Sequence, residues 1–181
     1  MASREKITRK SVDLKKFIRS VPNWPKKGIL FRDITPLLGN SDAFSAAVKA
    51  LCAGFKKKDV DYVVAVEARG FIFGAAVAQK LAAGFIPVRK KGKLPFHTEN
   101  IIYDLEYGTD CLEIHSDAIK KGSKVLMVDD LLATGGTMVA ASKLVEKLGG
   151  KILAISFLIE LADLNGRKKL QKYIIKSAIV Y

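Results

Sequence analysis

Cysteine is almost absent from this sequence. Cys52 and Cys111 stand alone, without CxxC spacing. That excludes a disulfide scaffold and predicts two free thiols in a reducing compartment. Long hydrophobic runs are also missing. The longest unbroken apolar stretches, such as Ala75–Ala78 and Ile152–Ile155, fall far short of the roughly 18 residues of a membrane span. The charged stretch Met1–Lys10 has no apolar core after it, which argues against a secretory leader. These absences predict a cytoplasmic protein with no membrane partner. Histidine occurs twice, and neither His97 nor His115 has a partner at metal-ligand or catalytic-triad spacing. There is no internal repeat and no low-complexity segment. Negative charge is scarce: 18 acidic residues face 31 basic ones, a net charge of +13.

What is present is globular. Of 181 residues, 49% are hydrophobic and 27% charged, too apolar for disorder. A chain of this length buries roughly 70% of its unfolded surface and needs no metal or disulfide staple. The positive excess suits nucleic acid, a membrane surface or a polyanionic small molecule. It is spread as lysine pairs and triplets, such as Lys26-Lys27 and Lys56-Lys57-Lys58, without a basic tail. Such runs read as solvated faces.

The pattern along the chain is that of an α/β protein. Ser11 caps a first expected helix, with Val12, Leu14, Phe17, Ile18 and Val21 at helical spacing. Residues 29–36 are flanked by prolines and read as extended. A second helix is expected from Ser41-Asp42 to about Lys58. Then come apolar strands at Tyr62–Val66, Phe85–Val88, Lys124–Val128 and Ile152–Leu158. Helices at Gly74–Leu81 and Met138–Leu148 alternate with them. A hairpin joins Ile101–Glu106 to Cys111–His115. Alternating apolar strands and helices imply a parallel sheet with right-handed crossovers. Ligands bind such sheets at the carboxyl ends of the strands, which directs attention to Glu67–Gly70, Arg89–Pro95 and Asp129–Thr137.

The strongest signal is Val125–Thr137. A hydrophobic strand ends in Asp129 and Asp130, and the small residues Ala133, Thr134, Gly135, Gly136 and Thr137 lead into a helix. The glycines permit a tight turn and close approach. Amides at the helix start converge where the macrodipole favours an anion. No Gly-Lys-Ser/Thr follows, so this is a phosphate cradle but not a Walker loop. The acids would repel a lone phosphate. They fit a ligand that also offers ribose hydroxyls, or Mg²⁺.

This run resembles the phosphoribosyl pyrophosphate fingerprint of the type I phosphoribosyltransferases, in the wording of their adenine-specific members. Phe31–Pro36, Ala68–Phe71, Arg89–Pro95, Leu105–Gly108, Glu160-Leu161 and Asn165–Arg167 resemble the same enzymes in the same order. The resemblance runs from about Val12 to Leu170. It implies a central, mainly parallel sheet flanked by helices, with an N-terminal hood (1–34) and a core (35–181) carrying a flexible loop at about 89–110.

The resemblance also implies an activity: transfer of a 5-phosphoribosyl group from phosphoribosyl pyrophosphate to adenine, giving AMP and pyrophosphate, with Mg²⁺ carried by the donor, in a homodimer. By that resemblance the phosphate loop Ala133–Thr137 holds the 5-phosphate, and Asp129 and Asp130 hold the ribose. Arg69, Arg89, Lys90 and Lys93 bind pyrophosphate, the loop acting in its own site or across the dimer. Leu30, Phe31, Arg32 and Leu161 form the adenine pocket. Glu106 manages the adenine proton, Tyr107 closes over the site, and Glu67 could orient Arg69.

Two other readings use the same residues. One is a hypoxanthine or guanine phosphoribosyltransferase, whose members carry a base-reading Lys and an acid close after the fingerprint. Met138–Ala141 offers neither. The other is a regulator that senses phosphoribosyl pyrophosphate and binds nucleic acid, which the net charge suggests. The adenine reading predicts no nucleic-acid partner.

Overall fold

Alternating strands and helices predict a parallel sheet, and a seven-stranded sheet forms. The structure, a computed structural model, describes residues 12–104 and 108–181. The chain divides into two compact units, Met1–Ala47 and Val48–Tyr181.

In the first unit, β1 (Arg19–Pro22) and β2 (Leu30–Asp33) form an antiparallel ribbon pairing Arg19 with Asp33 and Pro22 with Leu30. The helix expected from Ser11 is reduced to one 3₁₀ turn, Leu14–Phe17, with the Asp13 side chain accepting from the Lys15 amide. A helix this short is marginal alone, and Arg19–Pro22 gains a ladder instead. The extended reading of residues 29–36 ends early. Asp33 accepts from the Thr35 amide at 2.9 Å and its hydroxyl at 2.7 Å. That starts the short helix α1 (Thr35–Leu38), whose first turn tolerates Pro36. Helix α2 (Ser41–Leu51) starts at Asn40, whose side chain accepts from the Ala43 amide. It stops well short of Lys58, and Gly54 follows with φ +84°.

The second unit holds the sheet. Its elements are β3 (Tyr62–Val66), α3 (Arg69–Leu81), β4 (Gly84–Lys90), β5 (Thr98–Asp104), β6 (Thr109–His115), β7 (Lys124–Leu132), α4 (Gly136–Lys147), β8 (Lys151–Glu160) and β9 (Ile175–Val180). The strand order is β5-β6-β4-β3-β7-β8-β9. Strands β4, β3, β7, β8 and β9 are parallel to their neighbours, and the β5–β6 hairpin adds antiparallel edges. Strand β9 has no counterpart in the sequence reading, because Ile175–Val180 carries lysine and serine at a sheet edge.

From β3 the chain moves to β4 on one side and later returns to β7 on the other. That reversal is a topological switch point, where α/β sheets open a crevice at their carboxyl ends. The core beneath is Val64, Val66, Ile86, Val88, Met127, Ile155 and Phe157, packed on Ala140, Ala141, Leu144 and Val145 of α4. Among the described residues no helix is long and apolar enough to cross a membrane.

Helix α3 lies unusually close to β3. A Cβ at Gly74 would stand 2.6 Å from the Ala65 Cβ and 2.9 Å from the Phe85 ring. Helix propensity alone favours Ala over Gly by about 1 kcal/mol, while overpacking costs about 1–3 kcal/mol. Gly74→Ala is therefore expected to destabilise the protein in urea denaturation. A more stable variant would show that α3 can move off the sheet freely.

Candidate active site

The two acids do not end their strand, as the sequence suggests. Leu131 and Leu132 continue it, pairing with Ile159 and Glu160 of β8. Asp129 and Asp130 thus lie within a paired strand, Asp130 buried at 6% exposure and Asp129 partly so. Asp130 meets Arg69 at the start of α3, with Oδ2 2.8 Å from Nη2. Asp129 accepts from the Asp130 amide at 2.9 Å. It also sits against Gly70, where a Cβ would be 2.5 Å from its Oδ1. The glycine in Ala68-Arg69-Gly70-Phe71 leaves room for that carboxylate. Burial, and then the charge of Asp130, push Asp129 well above the usual carboxylate range. Burial also raises Asp130, against the pull of Arg69.

The phosphate loop is Ala133–Gly135, and α4 begins at Gly136. Gly135 has φ +80°, a left-handed turn that favours glycine. No side chain among the described residues caps the first amides of α4, and its first turn holds no acid. The sequence places glycine here for approach to a ligand. The structure adds a constraint from within: a Cβ on Gly135 would lie 2.8 Å from the Gly166 carbonyl oxygen. The Tyr103 hydroxyl of β5 lies 3.4 Å from Thr137 Oγ1, linking the hairpin to this loop.

Glu67 does not orient Arg69. Val66 pairs with Val88 across parallel strands, so Glu67 emerges beside Arg89. It accepts from Arg89 Nε at 3.1 Å and Nη2 at 3.0 Å, and from the Lys90 amide at 2.8 Å. Lys93 Nζ lies 4.0 Å away. Burial alone would raise Glu67, but the Lys90 amide and the Arg89 guanidinium hold it below the usual range. Lys90 pairs with Asp110 at 3.0 Å, which raises the lysine and lowers the acid. The buried Glu113 accepts from the amides of Lys93 and Leu94.

Arg89, Lys90 and Lys93 are thus brought together, each against a carboxylate. Sequence reasoning missed Glu113, Asp110 and Tyr103. The one signal for Glu113 is an acid set between the buried apolar residues Leu112 and Ile114 of a strand.

Leu161 follows β8, and its amide donates to the Leu132 carbonyl at 2.9 Å, beside the phosphate loop. Leu30, Phe31 and Arg32 lie on β2 in the first unit. Leu30 is exposed, Phe31 meets Trp24 edge-on at 4.3 Å, and Arg32 Nη1 donates to Ser20 Oγ. In a two-stranded ribbon each strand keeps one edge outside the ladder, so β2 turns some main-chain groups away from β1. Glu106 and Tyr107 lie outside the described residues.

The raised state of Asp129 has a consequence for stability. An acid whose folded pKa exceeds its unfolded value of about 3.9 costs stability once pH rises above that value. Asp129→Asn keeps the acceptor for the Asp130 amide and removes the charge. Its ligand-free form should melt above the wild type at pH 7, and the difference should shrink toward about pH 4. Thermal melts at both pH values check this, and a less stable variant at pH 7 would contradict it.

Comparison with known proteins sets this geometry in a family. A family model, the phosphoribosyl transferase domain, matches residues 38–179. The chain is 59% identical to the adenine phosphoribosyltransferase of Thermotoga neapolitana over 170 residues, covering 94% of this chain and 100% of that one. The adenine phosphoribosyltransferase of Brachyspira hyodysenteriae is 56% identical with the same coverage. Among solved structures, the adenine phosphoribosyltransferase of Thermoanaerobacter pseudethanolicus matches with a TM-score of 0.88 at 53% identity, covering 93% of this chain and 98% of that one. The Saccharomyces cerevisiae adenine phosphoribosyltransferase, solved with an imino-altritol bisphosphate and adenine, matches at 0.86 and 42% identity, covering 91% and 96%. With likeness this high along nearly its whole length, the chain belongs to the phosphoribosyl transferase family.

Proposed function

We propose that this chain transfers the 5-phosphoribosyl group from phosphoribosyl pyrophosphate to adenine, yielding AMP and pyrophosphate in purine salvage. The observation that carries this reading is the left-handed turn at Gly135 between the buried acids of β7 and the uncapped start of α4. It offers amides to a 5-phosphate and carboxylates to ribose hydroxyls on one ligand. The names of the relatives support adenine as the base. The hypoxanthine or guanine reading needs a lysine and an acid just after the loop. There Met138, Ala140 and Ala141 are buried in the core instead.

The chemistry is largely positioning. Adenine attacks C1 of the ribose as the bond to pyrophosphate breaks, through an oxocarbenium-like state. Ala133–Thr137 anchor the 5-phosphate, and Asp129 and Asp130 orient the ribose near the developing positive charge. Arg69, fixed by Asp130, faces the pyrophosphate. Arg89, Lys90 and Lys93 exchange Glu67 and Asp110 for the leaving group and help exclude water. Leu30, Phe31 and Leu161 cover the base, and the Arg32 main chain reads its edge. Glu106 manages the base proton, and Tyr107 closes over the site.

Among the described residues no three metal-binding side chains cluster. Two neighbouring carboxylates beside a phosphate loop suit Mg²⁺, which keeps waters and substrate oxygens as its other ligands. Asp129 and Asp130 would hold it, and when bound it would neutralise charge on the leaving group. A cytoplasmic homodimer is part of the same proposal. It is supported by the resemblance and by the exposed apolar Ile72 and Phe85 on α3 and β4.

Two measurements test this reading. Of adenine, hypoxanthine, guanine and orotate, only adenine should be turned over well. A pocket that reads an amino group through main-chain donors and acceptors sets like partners against an oxo group. Comparable rates with hypoxanthine would refute the base assignment. Glu106→Gln should lower the single-turnover rate by about 10²–10⁴-fold with little change in donor binding. An unchanged rate would remove Glu106 from proton transfer.

A further inference from the structure

Glu160, the last residue of β8, is 6% exposed. A carboxylate at that depth needs partners, and it has three donors. Arg167 Nε reaches Oε1 at 2.9 Å, while Arg167 Nη2 and Ser177 Oγ each reach Oε2 at 2.5 Å. Arg167 Nη1 also donates to the Ile175 carbonyl at 3.1 Å. The guanidinium therefore ties the end of β8 to β9 in fork geometry, which an ammonium cannot reproduce.

The residue before it, Gly166, is pressed against the phosphate loop. A Cβ on Gly166 would stand 2.1 Å from the Ala133 carbonyl oxygen, and one on Gly135 would stand 2.8 Å from the Gly166 carbonyl oxygen. Glycine on both sides lets two backbones touch. The loop's conformation at Ala133–Gly135 depends on where Gly166 sits, and Gly166 is placed by the side chain that follows it.

We propose that Arg167, held by Glu160, is a positioning residue for the phosphate loop: it fixes Gly166 as the stop against which Ala133–Gly135 keep the turn that binds a 5-phosphate. This rests on the reading of that loop as the 5-phosphate site. Arg167 acts through Gly166 and does not itself touch substrate. Leu161, the base-covering residue on the same connection, has its own anchors. Its amide bonds to Leu132, and the Ala162 amide bonds to the Tyr181 carbonyl, each at 2.9 Å. Loss of the Arg167 fork should therefore loosen phosphate binding and leave adenine binding nearly intact.

The test uses the full chain with Arg167→Ala, Arg167→Lys and Gly166→Ala. It measures kcat, KM for each substrate, and direct binding of ribose 5-phosphate by calorimetry. Arg167→Ala should raise the KM for phosphoribosyl pyrophosphate and the Kd for ribose 5-phosphate about 10–100-fold, the range that a small misplacement of a binding group produces. The adenine KM and kcat should stay within about threefold, because only binding of the phosphate end is touched. Arg167→Lys should fall between, and Gly166→Ala should give the same split with the ion pair intact.

Unchanged donor KM and ribose 5-phosphate binding would overturn the proposal. So would a parallel loss of kcat and both KM values, which a general structural role predicts. If Arg167→Ala does not fold, the other two variants carry the same criteria. Failure of the wild type to use adenine, with ribose 5-phosphate binding still weakened in Arg167→Ala, would sink the enzyme reading and leave this inference standing.

Discussion

Two adjacent carboxylates carried inside a paired strand constrain everything around them. Buried charge is costly unless partnered, and Asp130 finds Arg69 at the first residue of α3. Asp129 needs space more than charge, and Gly70 supplies it. Both requirements fall on the start of one helix, so α3 must enter directly beside β7. The parallel pairing of β3 with β7 makes that possible, because it places the end of β3 next to the acids. The remaining burial cost keeps both carboxyls above their usual range. A ligand bringing hydroxyls or a cation relieves that cost, which is the physical basis for placing ribose there.

The cations are governed by a second set of acids. Glu67 holds Arg89, Asp110 holds Lys90, and Glu113 grips the turn through the amides of Lys93 and Leu94. In a chain of net charge +13, acids kept at these positions turn a repelling cluster into an ordered one. The proposed exchange of carboxylate for pyrophosphate starts from cations already aimed, which reduces the ordering cost on binding.

The phosphate loop was legible because its chemistry is local. Small residues, a glycine pair and a helix start lie within a few positions, and a strand followed by that run has few uses. The alternation of apolar strands and helices was legible for the same reason, since each element's face is written in its own period. Places where the reading failed are those where a distant partner decided. Arg19–Pro22 left its helical spacing to pair with β2, and Leu131-Leu132 stayed in the sheet because β8 lay alongside. Ile175–Val180 became a strand only through β8.

By itself, then, the sequence determined an α/β sheet, a phosphate cradle after β7 and a set of basic residues suited to polyanions. Only the tertiary structure decided which acid meets which cation. Glu67, two positions from Arg69, turned to Arg89 across the sheet, and Arg69 turned to Asp130. It alone decided that Gly135 answers to Gly166, thirty-one positions away in this numbering. The reason is that propensity and spacing act along the chain. Charge pairing and backbone contact act through space, and strand register sets those distances.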